Sequence, residues 1–185
     1  MDNGACSYRR FLGGDDEGIV EIIRDYKDGL ILFLNRYVND VHIAEELAED
    51  TFFRIIIKKP LFVRKGSFKT WLYTIGRNTA LNYLKHSGRT LYTAPEDLEH
   101  LSGEMESLEK AYIREEEKIF IHRALANINP DYGKVLYLKF FENMSNDEIA
   151  SVLKKDRRQV ENLIYQSKRA LKSELDKEGF HYEGL

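Results

Sequence analysis

A chain of 185 residues, 43% hydrophobic and 32% charged, has room for one domain or two small ones around a buried core. One cysteine, Cys6, excludes an internal disulfide and is read as an idle thiol in a frayed N-terminus, and the net charge of −3 taken alone argues against nucleic acid. The acidic start Met1-Asp2-Asn3-Gly4 does not look like a signal peptide, and the apolar runs at 31–34 and 55–57 fall far short of the roughly 20 residues of a membrane span, so a cytoplasmic protein without a membrane segment is expected.

The charges are segregated along the chain. Positions 54–89 hold Arg54, Lys58, Lys59, Arg64, Lys65, Lys69, Arg77, Lys85 and Arg89 and no acid. Just before them, positions 40–50 hold Asp40, Glu45, Glu46, Glu49 and Asp50 and no base. Positions 96–117 carry nine acids against Lys110 and Arg114, and 134–172 return to nine bases against five acids. Solvated helix faces usually mix signs. Two basic blocks separated by an acidic one therefore predict two DNA-facing surfaces on one chain.

In chain order, the first expected element is a helix over 16–39, where Ile19, Ile22, Ile23, Tyr26, Leu30, Phe33, Leu34 and Tyr37 recur at steps of three and four. Asp40 is placed to N-cap a second helix, with Ile43, Leu47 and Phe53 inward and the carboxylates outward. Pro60 and Gly66 mark a loop over 59–66, and helix resumes over 67–85 with Trp71, Leu72, Ile75, Ala80, Leu81 and Leu84 as core candidates. Residues 90–103, with Pro95 and several acids, have linker composition. Fully extended they reach about 45–50 Å at roughly 3.3 Å per residue, the span of about 14 base pairs at ~3.4 Å each. A second module over 104–185 starts with a helix marked by Leu108, Tyr112, Ile119, Leu125 and Ile128 that ends near Asn129-Pro130, then a helix over 132–142 with Val135, Leu138 and Phe141 inward. Few β-branched, period-two runs occur, so the expected class is all-α, with two small helical domains (1–89 and 104–185) joined by the flexible acidic linker.

The most specific local pattern follows. Ser145-Asn146-Asp147-Glu148 is a capping box opening a short helix with Ile149, Val152 and Leu153 apolar. After the turn Lys154-Lys155-Asp156, the run Asp156-Arg157-Arg158-Gln159 repeats the cap pattern and opens a helix with Val160, Ile164, Ser167 and Leu171 on its inner face. Two capped helices across a three-residue turn make a helix-turn-helix, whose second helix presents its N-terminal residues to major-groove base edges. Arg158, Glu161, Asn162, Tyr165, Gln166 and Arg169 then point outward as base readers, and Lys154, Lys155, Lys168 and Arg169 sit on phosphates. Gln159 either closes its capping box or reads a base. Glu161 either reads cytosine or pairs with Arg157 or Arg158 one turn back.

These residues resemble a family. The run Ile43-Ala44-Glu45-Glu46-Leu47-Ala48-Glu49-Asp50-Thr51-Phe52 and the run from Phe68-Lys69-Thr70-Trp71 through Gly76-Arg77-Asn78 to Leu84 look like regions 2.2 to 2.4 of an extracytoplasmic-function (ECF) sigma factor. Residues 144–175 look like its region 4.2, and the likeness runs from about Tyr8 to Leu175. The resemblance implies that Glu45, Glu46, Glu49 and Asp50 dock on the β′ clamp helices of core RNA polymerase. It implies that the loop near Phe62 and the helix of Asn78 read the promoter −10 element, with one base flipped from its stack into a pocket. Arg64, Lys65, Lys69, Arg77, Asn82, Lys85 and Arg89 would then hold the backbone, and Trp71 would serve the core rather than stack on a base. The second domain would read the −35 element through Lys154, Lys155, Arg157, Arg158, Gln159, Glu161, Asn162, Tyr165, Gln166, Lys168 and Arg169, and lean on the β-flap. Two features depart from the family: an acid at Glu161, and a −10 loop without acidic or serine-rich character. The further domains of larger sigma factors are not expected here.

An alternative sigma factor, monomeric when free and restrained by an anti-sigma partner, is thus the expected function. Neither a phosphate-cradling loop nor a nucleophile elbow occurs, and the five histidines are scattered, so no catalysis, metal or cofactor is expected. A conventional operator-binding regulator and a pure interaction module that holds polymerase or an antagonist remain the alternatives.

Overall fold

The computed structural model describes residues 3–62, 66–88, 124–125 and 127–177. They are helical, with no strand among the described residues: α1 (Asn3–Leu12), α2 (Glu17–Val38), α3 (Val41–Lys58), α4 (Phe68–Ser87), α5 (Pro130–Leu136), α6 (Asn146–Leu153) and α7 (Arg157–Lys177). The expected linker over 90–103, Arg64, Lys65 and Arg89, and the core candidates Leu108, Tyr112 and Ile119 lie outside the described residues.

Local chemistry sets the boundaries. Asp40, extended at φ −152°, accepts hydrogen bonds from the His42 and Ile43 amides and starts α3. Asn39 and Lys59 end α2 and α3 in the left-handed region at φ 50° and 41°. Ser67 caps α4 by accepting from the Thr70 amide, so it stands just outside the helix rather than as its first residue. Asn129 likewise caps α5 by accepting from the Asp131 amide, with Pro130 at the first turn where its missing N–H costs nothing. The helix expected over 132–142 instead begins at Pro130 and passes at Leu136 into a π-helical turn, Tyr137–Phe141.

The inward residues of α2 are those expected: Ile19, Ile22, Leu30, Phe33, Leu34 and Tyr37 are all buried. In α4, Leu72 and Ala80 are fully buried, while Trp71, Ile75, Leu81 and Leu84 pack partly buried at the core edge. Two inward assignments fail. Phe53 is 62% exposed, because the inner face of α3 is taken by Leu47, Ala48, Phe52 and Ile55. Phe141 is 48% exposed, stacked on Tyr137 at 5.3 Å rather than inserted in the core.

From Asn3 onward the chain is helical and packed rather than frayed. Helix α1 buries Tyr8 and Phe11, about 1.5–3 kcal/mol each for full burial, and Cys6 is half-buried. It crosses α2 so closely that a side chain on Gly18 would collide with the Ser7 carbonyl.

The two halves share one hydrophobic core. Val135, Tyr137, Leu138, Met144, Ile149, Val152, Leu153 and Val160 join the residues of α1–α4 in a single cluster. A smaller cluster of Leu125, Ile128 and Leu136 packs with Tyr132, Ala170 and Leu171 between α5 and α7.

Candidate nucleic-acid and polymerase interfaces

The helix-turn-helix has the expected caps. Ser145 Oγ accepts from the Glu148 amide at 3.3 Å, and Glu148 Oε2 accepts from the Ser145 amide at 2.9 Å. In the second box, Asp156 Oδ1 accepts from the Gln159 amide at 2.7 Å, and Gln159 Oε1 accepts from the Asp156 amide at 3.0 Å. The Gln159 carboxamide oxygen is therefore occupied in capping. Lys154 turns the chain between the helices at φ 53°. On α7, Val160 and Ser167 face inward, Ser167 back-bonding to the Leu163 carbonyl. Arg158, Glu161, Asn162, Tyr165, Gln166 and Arg169 are all exposed, as are Lys154, Lys155, Arg157 and Lys168. Arg157 donates to Glu161 at 2.9 Å and lies 3.4 Å from Asp147, so Glu161 is paired one turn back. Lys168 and Arg169 lie over the rings of Phe140 and Tyr165.

The acidic face is equally open. Glu45, Glu46, Glu49 and Asp50 are all exposed on α3, with Ala44, Leu47, Ala48 and Thr51 buried beneath them. The exposed Phe53 and Ile57 continue that surface toward the end of the helix.

The basic face of α4 is partly covered. Asn82 and Lys85 are exposed, and Asn78 is half-buried. Lys69 Nζ instead donates to Glu142 Oε2 at 2.9 Å and to the Glu142 carbonyl at 3.2 Å. Glu142 is held from the other side by the Tyr137 hydroxyl, which lies 3.0 Å from both Glu142 Oε1 and the Gly29 carbonyl. At the start of α4, Glu148 Oε1 accepts from Ser67 Oγ at 2.6 Å and Thr70 Oγ1 at 3.1 Å. Glu148 thus stands at the N-termini of both α4 and α6, where the helix dipoles favour a carboxylate. Burial opposes its charge, but the hydrogen bonds from Ser67, Ser145 and Thr70 outweigh that and hold its pKa below the usual glutamate value.

Further along the seam, Arg77, Leu81, Tyr37, Asp131, Lys134, Leu153 and Lys155 line a cavity of about 180 Å³. Lys134 is buried, with its ammonium 4.3 Å from the Tyr37 ring centre and 3.1 Å from Asp131 Oδ1. Burial pulls its pKa down, and Arg77 and Lys155 add to that, while Asp131 works against it. Phe62 is half-buried, its ring 5.7 Å from Phe68 and 5.5 Å from Trp71. Trp71 also packs on Tyr8 at 5.2 Å, a structural position as expected.

The sequence gives no sign of contacts between the halves: Glu148 is read there only as part of a capping box, and Glu142 is given no role. No helix of the described residues is long and apolar enough to cross a membrane, and no group of metal-ligating side chains occurs among them.

The described residues thus combine an exposed acidic helix, a basic helix and a doubly capped helix-turn-helix. Comparison with known proteins gives the class: the sequence profile for sigma-70 region 2 matches residues 22–90 and that for sigma-70 region 4 matches residues 121–171. The chain is 28% identical over 170 residues to the RNA polymerase sigma-H factor of Pseudomonas aeruginosa, covering 88% of each. It is 25% identical over 170 residues to the ECF RNA polymerase sigma factor SigW of Bacillus subtilis, covering 88% of this chain and 91% of the relative. Among solved structures, CnrH in complex with the cytosolic domain of CnrY shares the fold with a TM-score of 0.66 at 18% identity, over 95% of this chain and 99% of that one. The sigma factor RpoE of Bartonella quintana, in complex with the anti-sigma factor NepR, shares it with a TM-score of 0.65 at 16% identity, over 84% and 95%. The chain belongs to the ECF group of RNA polymerase sigma factors. It is a transcription initiation factor whose partners are RNA polymerase and promoter DNA.

Proposed function

We propose that this sigma factor acts in the cytoplasm without catalysis of its own, docking on the polymerase clamp through Glu45, Glu46, Glu49 and Asp50. The region 2 module, taken as 1–89, holds the −10 strand: Phe62 and Asn78 meet the extruded base, and Arg64, Lys65, Lys69, Arg77, Asn82, Lys85 and Arg89 meet the backbone. The region 4 module, taken as 104–185, reads the −35 element. Arg158, Asn162 and Gln166 face base edges there, while Lys154, Lys155, Lys168 and Arg169 meet phosphates.

The observation that carries this reading is the exposed outer face of α7, which rises directly from a doubly capped turn and leaves its first three turns free for a major groove. Gln159 acts there as a cap, and Glu161 orients Arg157.

The hydrogen bonds that Lys69 donates to Glu142, and Ser67 and Thr70 to Glu148, support a closed resting form, which polymerase must open before α4 meets DNA. A closed monomer also suits capture by an anti-sigma factor, since CnrH and the Bartonella RpoE, which share the fold, were solved with CnrY and NepR bound.

Charge reversal tests the docking face. Glu46→Lys with Asp50→Lys, both on exposed positions, is expected to abolish capture of core polymerase while leaving the helical circular-dichroism spectrum and the melting temperature in place. Undiminished capture would remove that helix from the interface.

A further inference from the structure

Charge is not matched evenly along the seam between the halves. Near the start of α4 each contact sets a donor against a carboxylate, Lys69 with Glu142, and Ser67 and Thr70 with Glu148. Around the 180 Å³ cavity the balance changes. Arg77 of α4 lines it from one half, Lys134 of α5 and Lys155 of the helix-turn-helix turn line it from the other, and Asp131 is the one acid among the described lining residues. Arg77 and Lys155 form no ion pair with any described residue. The Lys134 side chain is 5% exposed; its ammonium donates to Asp131, lies over the Tyr37 ring, and has no other acceptor among the described residues.

Like charges brought together across a packed seam repel, and burial adds a desolvation cost at Lys134, where Arg77 and Lys155 both act against the ammonium. An anion in the cavity reverses these costs. The volume is far above the roughly 10–15 Å³ that one water needs, so a ligand of several atoms fits. The donor set suits phosphate, whose oxygens accept at once from a planar guanidinium fork and from compact ammonium charges. A DNA backbone suits it less well. The three cations converge only while the halves are closed, and in that form Glu142 covers Lys69 on the same helix face.

We propose that this end of the seam binds a small phosphate anion, free or carried by a small molecule, between Arg77 of one half and Lys134 and Lys155 of the other, and that the bound anion fastens the closed form. Because it touches both halves, the anion binds the closed arrangement more tightly than the open one, and by reciprocity it shifts the equilibrium toward closure. Arg77 and Lys155, assigned above to promoter backbone, serve the anion in the resting form and are released to DNA on opening. Asp131 tempers the site by holding Lys134 and repelling the ligand. The site needs the closed arrangement of the halves but none of the promoter assignments.

The test titrates the full chain, in chloride buffer of constant ionic strength, with orthophosphate, pyrophosphate and AMP by calorimetry. Saturable one-to-one binding is expected; AMP binding more tightly than orthophosphate would mark a phosphorylated small molecule as the ligand, and the reverse order the free ion. Lys134→Met should weaken binding about ten-fold or more, the factor expected for one charge-assisted hydrogen bond. Asp131→Asn should tighten it roughly two- to five-fold, a small factor because that side chain is 57% exposed. Both variants keep the length of the side chain, and opposite effects from two adjacent partners are not what a merely structural role produces. With fluorescent labels at the exposed positions Arg54 and Lys172, the same anion should lower the open fraction of the wild type and not of Lys134→Met. Heats that follow ionic strength alone, or saturable binding that neither substitution alters, would overturn the site. So would binding of single-stranded DNA that Lys134→Met weakens, with no response to the three anions. No promoter or polymerase is present, so failure here leaves the transcription reading standing.

Discussion

Glu142 is the most informative side chain to perturb, because one contact both bridges the halves and covers Lys69. Its side chain is 10% exposed and that of Lys69 is 33% exposed, so the 2.9 Å pair is only partly screened. A charge-assisted hydrogen bond contributes roughly 1.5–3 kcal/mol, and the exposure of Lys69 argues for the lower half of that range. Glu142→Gln keeps the shape and the contact with Tyr137 but removes the charge. It should therefore weaken closure by about 1.5–2 kcal/mol, a roughly 10- to 30-fold rise in the open-to-closed ratio. Fluorescent labels at the exposed positions Arg54 on α3 and Lys172 on α7 report the distance between the halves. The variant should open at lower salt than the wild type, and Lys69→Met combined with Glu142→Gln should open little further than either alone, because both remove one interaction. Identical open fractions in the wild type and the variant, or strictly additive effects, would refute the reasoning.

Three further outcomes follow from the geometry. Glu148 has a folded pKa below its ordinary value, so its contribution to stability is complete above about pH 4.3 and is lost as pH falls through the lower folded value. The melting temperatures of wild type and Glu148→Gln should therefore differ at neutral pH and converge in acid; a difference that persists in acid would contradict the assignment. Burial disfavours the ammonium of Lys134, so Lys134→Met should raise the melting temperature at neutral pH, by about 2–4 °C for each kcal/mol of desolvation relieved. A fall would mean that the Asp131 pair and the Tyr37 ring outweigh that cost. At the −35 element, Asn162→Ala should lose about 1–3 kcal/mol of discrimination at a single base pair. Lys154→Ala should weaken all sequences alike and lower the salt dependence, as measured by electrophoretic mobility shift with holoenzyme.

What the sequence revealed, and what it did not, follows the range of the interactions. The capping boxes at Ser145 and Asp156 and the cap at Asp40 act over two or three residues, so their pattern was legible and the helix-turn-helix with its outward side chains could be read directly. The side of α3 that faces inward near its end was not. From Thr51 to Ile57 apolar residues lie nearly all round the helix, and periodicity has no polar stripe by which to orient Phe53. Helix α1 is short and rich in small and polar residues, and only the spacing of Ala5, Tyr8 and Phe11 marks its buried face. The seam was hidden for a different reason. Glu142 meets Lys69 across 73 residues and Glu148 meets Ser67 across 81, and a glutamate near a helix start reads as a cap whether or not it also reaches another helix.

The most direct test of the central claim is transcription itself. Core RNA polymerase incubated with the purified chain and a library of genomic promoter fragments should yield run-off transcripts from a defined subset whose aligned −10 and −35 elements are separated by a constant spacer. No transcripts beyond those of core alone, together with tight binding of the isolated chain to a duplex operator, would contradict the account.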